Sequence, residues 1–261
     1  MQAGAACAVG VGAIAYAGAA GMTLWSVAGN WRFPNALPSN ISVGAWSTQA
    51  HHALATATTT VLIGATAVIV AVAAALACLE TRQQRGAKAH SAAEWLIYAP
   101  LLVPQIAFLF GVQIVLVRVG LDGSALAVVW THVMFVLPYV FLSLADPFMA
   151  LDPRYVASAA ALGAGPVRIF FAIKLPLLAR SILAAATVGF GVSLAQYLPT
   201  LFAGAGRVTT LTTEAVTLSS GADRRVIGVF AMLQAALPLA AYALAFAGPA
   251  LLFRKRRGML V

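Results

Sequence analysis

Asp152-Pro153-Arg154-Tyr155-Val156-Ala157-Ser158-Ala159-Ala160-Ala161-Leu162-Gly163, with Leu175-Pro176 closing the segment thirteen residues after the glycine, interrupts a chain that is otherwise apolar. Asp152 suits a helix N-cap and Pro153 the first helical position. Residues 153–162 are nearly all tolerable helix formers, and Gly163 can take the positive φ that ends a helix. Gly165-Pro166 makes the stop firm. Val167 to Lys174 then forms a second short helix with Ile169, Phe170 and Ile173 on one face. Leu175-Pro176 opens the next apolar run, where a missing N–H costs little if it falls in the first turn. The segment 149–178 is too polar to lie in lipid and needs a place outside it.

Outward from this loop almost everything reads as membrane. The 261 residues are 62% apolar and only 9% charged, against about 25% charged in soluble domains. Windows of about 20 apolar residues suffice to cross about 30 Å of hydrocarbon as helices, and no period-2 alternation suggests a barrel strand. The fold class expected is all-α integral membrane, with six transmembrane helices at about 4–27, 53–79, 95–118, 125–148, 179–203 and 226–252. The loop over 149–178 then joins helices 4 and 5. The first span lacks a basic leader and outruns a signal-peptide core, so it reads as a retained helix. The whole chain, 1–261, reads as a single transmembrane domain with its core over 53–252.

Charge supplies the orientation, because Lys and Arg near span ends stay on the cytoplasmic side. Arg82, Arg85 and Lys88 follow span two; Arg154, Arg168, Lys174 and Arg180 follow span four; Arg254, Lys255, Arg256 and Arg257 form the tail. Those are eleven of the sixteen basic residues, against Arg32, Arg118, Arg207, Arg224 and Arg225 on the other side. Both termini are expected in the cytoplasm. The net charge of +9 needs no nucleic acid to explain it, since no basic aromatic platform accompanies the clusters. Cys7 and Cys78 both fall within spans, and no disulfide framework or CxxC metal site exists.

The outward loop between spans one and two carries Trp31, Phe33, Pro34, Pro38 and Trp46, which suit the headgroup belt. Before span six, Leu211, Ala215 and Leu218 recur at i, i+4 and i+7 among threonines and predict a short interfacial helix. Ser219-Ser220-Gly221 ends it, and Asp223-Arg224-Arg225 starts the last span.

The loop resembles that of type I ATP-binding-cassette (ABC) importer permeases, which have the MetI-like fold. Their pattern is roughly EAA, two residues, LG, a spacer, then an aromatic, an aliphatic and LP. Here it reads Ala157-Ser158-Ala159, Leu162-Gly163, Phe170-Phe171, Ile173 and Leu175-Pro176. Ala157 stands where the family has glutamate. The resemblance implies a coupling helix that docks an ATPase through Ala157, Ala159, Leu162, Gly163, Ile169, Phe170, Ile173, Leu175 and Pro176, the last apolar group supplying the grip. It implies two ATPase subunits, a second permease half that is identical, related or fused, a periplasmic substrate-binding protein, and a bacterial inner-membrane location. No GxxxxGK[ST] phosphate loop exists and no acidic cluster is placed to hold magnesium. The chain is therefore expected to be no enzyme and to bind no cofactor, ATP and magnesium residing on the partner ATPase. Gln196-Tyr197-Leu198-Pro199-Thr200 and Thr209-Thr210-Leu211-Thr212-Thr213 resemble the thiamine and iron(III) importers of this family.

Polar side chains at membrane depth are costly, which makes them pathway candidates. Ser193, Gln196 and Tyr197 share one helical face, and His132 in span four stands beside Thr131. Gln105 and Gln113 in span three fall within about 80° of each other on a helix of 3.6 residues per turn. Helix-to-helix hydrogen bonding explains such residues equally well. Two other functions compete. A secondary transporter or channel needs ionisable groups or broken helices in mid-membrane, and the spans hold almost no carboxylates. An intramembrane hydrolase would use Ser193 with His132 as its base.

Overall fold

The structure, a computed structural model, describes residues 16–31, 37–85, 91–221 and 223–252. The predicted first span up to residue 15, Cys7, Arg32, Phe33, Pro34, Lys88 and the basic tail lie outside them. Eleven α-helices run through the described chain: α1 (16–26), α2 (Gly44–Arg85), α3 (Ser91–Leu102), α4 (Gln105–Arg118), α5 (Ala125–Met149), α6 (Pro153–Ala161), α7 (Pro166–Ile169), α8 (Leu175–Leu194), α9 (Tyr197–Gly204), α10 (Leu211–Ser219) and α11 (Arg224–Leu252). A π-helical turn, Phe170–Lys174, joins α7 to α8. Four stretches among the described residues are long and apolar enough to cross a membrane: Gly44–Gln84, Ala125–Met149, Pro166–Leu194 and Arg224–Ala247. The α3 and α4 helices make a fifth if they are counted together.

Two of the predicted spans are broken, each beside a proline. Between α3 and α4 the chain turns by 114°. Pro104 disfavours the helical conformation for Val103 and offers no N–H to the Pro100 carbonyl. The predicted span 179–203 stops as a helix at Leu194, with Gln196 at φ −80° and ψ 88° before α9. Pro199 again lacks the N–H that the Ala195 carbonyl would take in a continuous helix, and Tyr197 N–H donates to that carbonyl instead, at 3.0 Å. At its other end this span begins at Pro166 rather than at 179, because the helix runs on from the loop. Pro176 lies in the first turn of α8, as expected, but the π turn runs directly into that helix. Its ring crowds the Ala172 carbonyl, and the chain accommodates it by widening one turn, Leu175 N–H reaching the Phe170 carbonyl. Span two also outruns its expected limits: α2 has 42 residues.

The chain divides into two compact units. One comprises residues up to Thr60 with Thr209–Leu237. Here Leu211 of α10 is buried against Ala53, Val229 and Phe230, with Ala215 and Leu218 packed on the same cluster, so the predicted stripe is a packing face. Thr210 caps α10 by accepting from Thr213 N–H, and Leu211 N–H donates to Thr60 Oγ1 at 2.9 Å. His52 Nε2 meets Glu214 Oε1 at 3.0 Å. An antiparallel bridge between Ala28 and Ile41 closes the intervening loop.

The other unit comprises Val61–Val208 with the chain from Pro238. Its core joins Ala71, Ala75, Leu76 and Leu79 of α2 to Val136, Val140, Phe141, Leu144 and Phe148 of α5, and to Leu178 and Ala185 of α8. Small residues let these helices approach closely, as membrane packing favours. The approach is tightest at Gly189, where an added Cβ would lie 2.8 Å from Val140 Cγ2 and 3.0 Å from Val136 Cγ1.

Candidate functional site: the loop helix, its root and the broken span

The loop forms as its local signals require. Asp152 accepts from Arg154 N–H at 2.9 Å, capping α6 with Pro153 in its first turn. At the other end Gly163 takes φ +81°. Its N–H donates to the Ala160 carbonyl at 2.9 Å, and Ala164 N–H to the Ala159 carbonyl at 3.0 Å. These two bonds are the Schellman pair that closes a helix C-terminus. No residue of α6 is buried. Ala157 is exposed, Ala159 half-buried, and Leu162 is 89% exposed.

The apolar group after the glycine divides. Ile169 is only 6% exposed, and Phe170 and Leu175 pack on the core of α2, α5 and α8. Ile173 is half-buried and Pro176 exposed. Phe170 thus holds the loop to its own bundle, and Ile169 is buried within the chain, so neither offers a free grip. Its exposed large apolar side chains are Tyr155, Leu162, Val167 and Phe171.

The root of the loop carries a charged cluster that sequence reasoning missed. Lys174, 5% exposed, closes the π turn. Its ammonium donates to Glu80 Oε1 at 2.9 Å, Glu80 Oε2 at 2.6 Å and Gln83 Oε1 at 2.6 Å, and lies 5.5 Å from the centre of the Phe148 ring. Gln84 Nε2 donates to Glu80 Oε1 at 3.0 Å, and Arg82 pairs with Glu94 at 2.8 Å. Lys174 reads in sequence as one more cytoplasmic charge. Its only signal is the isolated Glu80 at the end of an apolar span.

Four of the pathway candidates, His132, Ser193, Gln196 and Tyr197, come together at the break between α8 and α9, though not on one helical face. Ser193 ends α8, Gln196 sits in the break and Tyr197 opens α9. His132, 2% exposed, places Nδ1 2.8 Å from Ser193 Oγ and Nε2 2.9 Å from Thr200 Oγ1. Thr200 Oγ1 donates its proton to the Gln196 carbonyl at 2.6 Å, so it accepts from His132. In its neutral form the imidazole would then carry its proton on Nε2 and accept from Ser193 at Nδ1. Gln196 Nε2 reaches the His132 carbonyl at 3.4 Å, while its Oε1 is buried without a hydrogen-bond partner.

Ser193 and His132 thus stand at the separation of a nucleophile and its base. The far side of the imidazole meets a hydroxyl and not a carboxylate, and both side chains are buried. The arrangement is a latch across a broken helix. Both breaks border one groove of about 890 Å3, lined by Pro100, Val103, Gln105, Tyr139, Gln196 and Tyr197 among others. Among the described residues no three of His, Cys, Asp and Glu gather to hold a metal ion.

Over 150 residues, 58% of this chain and 29% of that protein, the sequence is 43% identical to the inner membrane ABC transporter permease protein YnjC of Escherichia coli (strain K12). The chain is similar to ABC transporter permeases. It is 29% identical over 125 residues to the putrescine transport system permease protein PotI of the same strain, a match covering 45% of this chain and 44% of PotI. It is 31% identical over 94 residues to a spermidine/putrescine transport system permease protein PotC homolog of Mycoplasma genitalium, covering 36% of this chain and 33% of the relative. The chain spans less than half the length of each of these relatives. No protein-family model matches it.

Proposed function

We propose that this chain is a permease subunit of an ABC importer, supplying half of a translocation pathway and coupling it to ATP hydrolysis on separate ATPase subunits. The observation that carries the reading is α6: nine residues, capped at both ends, none buried, set between two membrane-crossing helices of a chain that resembles permeases. A short rigid helix with a small-residue face is what a groove on a nucleotide-binding subunit can grip. Leu162, exposed at its tip, is its apolar anchor, at about 25 cal/mol per Å2 buried. Ala157, in place of a glutamate, leaves docking to shape.

In this reading the fold is MetI-like with six spans, α1 belonging to the first and the α3–α4 pair forming the third. Both termini and the loop are cytoplasmic in the bacterial inner membrane. Two ATPase subunits carry ATP and magnesium, a second permease half completes the pathway, and a periplasmic binding protein delivers a small solute. Gln196 and Tyr197 line the pathway at the broken span, with His132 and Ser193 behind them holding the break. Irregular backbone at membrane depth is tolerated where it lines such a cavity.

The test is purification from native membrane followed by mass spectrometry of the retained subunits. ATPase subunits and a binding protein are expected, and Gly163→Asp should strip the ATPase. Retention of the ATPase by Gly163→Asp would sink docking through this loop. A reporter fused after Gly163 that proved periplasmic would overturn the topology.

A further inference from the structure

We propose that Lys174, held by Glu80 and Gln83, is a positioning residue that fixes the angle at which the loop helix stands on α2. The proposal rests on the docking role of that loop.

A buried ion pair is weak evidence for stability, because desolvating two charges offsets much of their attraction and an apolar pair of similar volume serves as well. What the cluster adds is a single geometry. An ammonium has three protons, and here three oxygens lie within 2.9 Å of Nζ, with the centre of the Phe148 ring 5.5 Å away. Glu80 is itself oriented by Gln84. Lys174 therefore has one place to sit.

Its position in the chain makes that consequential. Lys174 is the last residue of the π turn, so everything between it and α5 is the loop, and everything after it is α8. Phe170 and Leu175 also pack on the core that α2 shares with α5 and α8, but that contact is apolar and non-directional. An open apolar groove of about 750 Å3 runs along this seam, lined by Val72, Leu76, Glu80, Phe170, Phe171 and Leu175 among others. With that side open, the charged contact is the directional link from the loop root to the end of α2. The ion pair between Arg82 and Glu94 ties the same turn of α2 to α3.

The experiment uses spin labels on Leu162→Cys and Thr81→Cys in the full chain with Cys7 and Cys78 replaced by serine. Lys174→Met alone leaves a buried carboxylate unpaired and can fail to fold, so the decisive variant is Lys174→Met/Glu80→Met, with the exchange Lys174→Glu/Glu80→Lys as rescue. Expected is a narrow 81–162 distance distribution in the parent. The double Met variant should show a broad one at unchanged melting temperature and, tested without labels in the chain that keeps Leu162 and Thr81, a several-fold loss of co-purified ATPase, and the exchange should restore both. An unchanged distance distribution in the double Met variant overturns the proposal. So does a broadened distribution with full ATPase retention. Gly163→Asp separates the two levels: if it strips the ATPase while the double Met variant does not, only the positioning proposal falls, and if it too retains the ATPase, the docking reading falls.

Discussion

His132 Nε2 stands 2.9 Å from Thr200 Oγ1, so a histidine of α5 grips α9 across the break that ends α8. The same ring holds Ser193 on the near side of that break. Replacing His132 by alanine leaves the Ser193 hydroxyl buried without an acceptor, which costs about 2 kcal/mol. His132→Asn keeps an acceptor for Ser193 and should recover part of that loss. Thermal unfolding of the purified chain in detergent checks both.

Two glycines of α8 should respond oppositely to the same change. Gly189→Ala pushes a methyl into Val140 and Val136 and should cost about 1–3 kcal/mol. Gly191→Ala meets nothing within 4 Å and should stabilise by about 0.5–1 kcal/mol through helix propensity. If both variants melted alike, the close approach of α5 and α8 would be wrong.

Gly163 at φ +81° closes the Schellman pair of α6. Gly163→Val should cost about 1–2 kcal/mol in backbone strain, whereas Gly163→Asn, which tolerates this region, should cost less. Hydrogen exchange at the Gly163 and Ala164 amides should speed up in the valine variant only, since no side chain stands near enough to clash.

Asp152→Ala removes the α6 cap and should weaken that helix by about 1 kcal/mol, while Asp152→Ser retains most of it. The readout is exchange of the Arg154 amide, which donates to Asp152 in the parent.

The loop was legible because its signals are local. Asp152-Pro153 and Gly163 mark the ends of α6 within one residue, since capping depends on neighbours in the chain. The break at Gln196 was hidden because a single polar residue interrupts an apolar run that resumes at Leu198, although Pro199 already denies the Ala195 carbonyl its helical partner. The tie made by Lys174 was hidden for another reason. Its partner Glu80 is 94 residues away, and no periodicity reports a contact at that range. The fates of Ile169 and Phe170 likewise turned on tertiary packing: an apolar face on a short helix says that something covers it, not whether the cover belongs to the same chain.

The widened turn at Phe170–Lys174 makes the direction of α6 a matter of counting. Each residue of an α-helix advances the chain by about 100° around its axis. Deleting Ala172 would let that turn tighten toward ordinary helix and absorb the loss, whereas deleting Leu177, in the regular helix beyond it, would swing α6 by roughly that angle about the α8 axis with every side chain of α6 intact. The widened turn is thus the one place in this rise where the chain can lose a residue without changing the direction of α6.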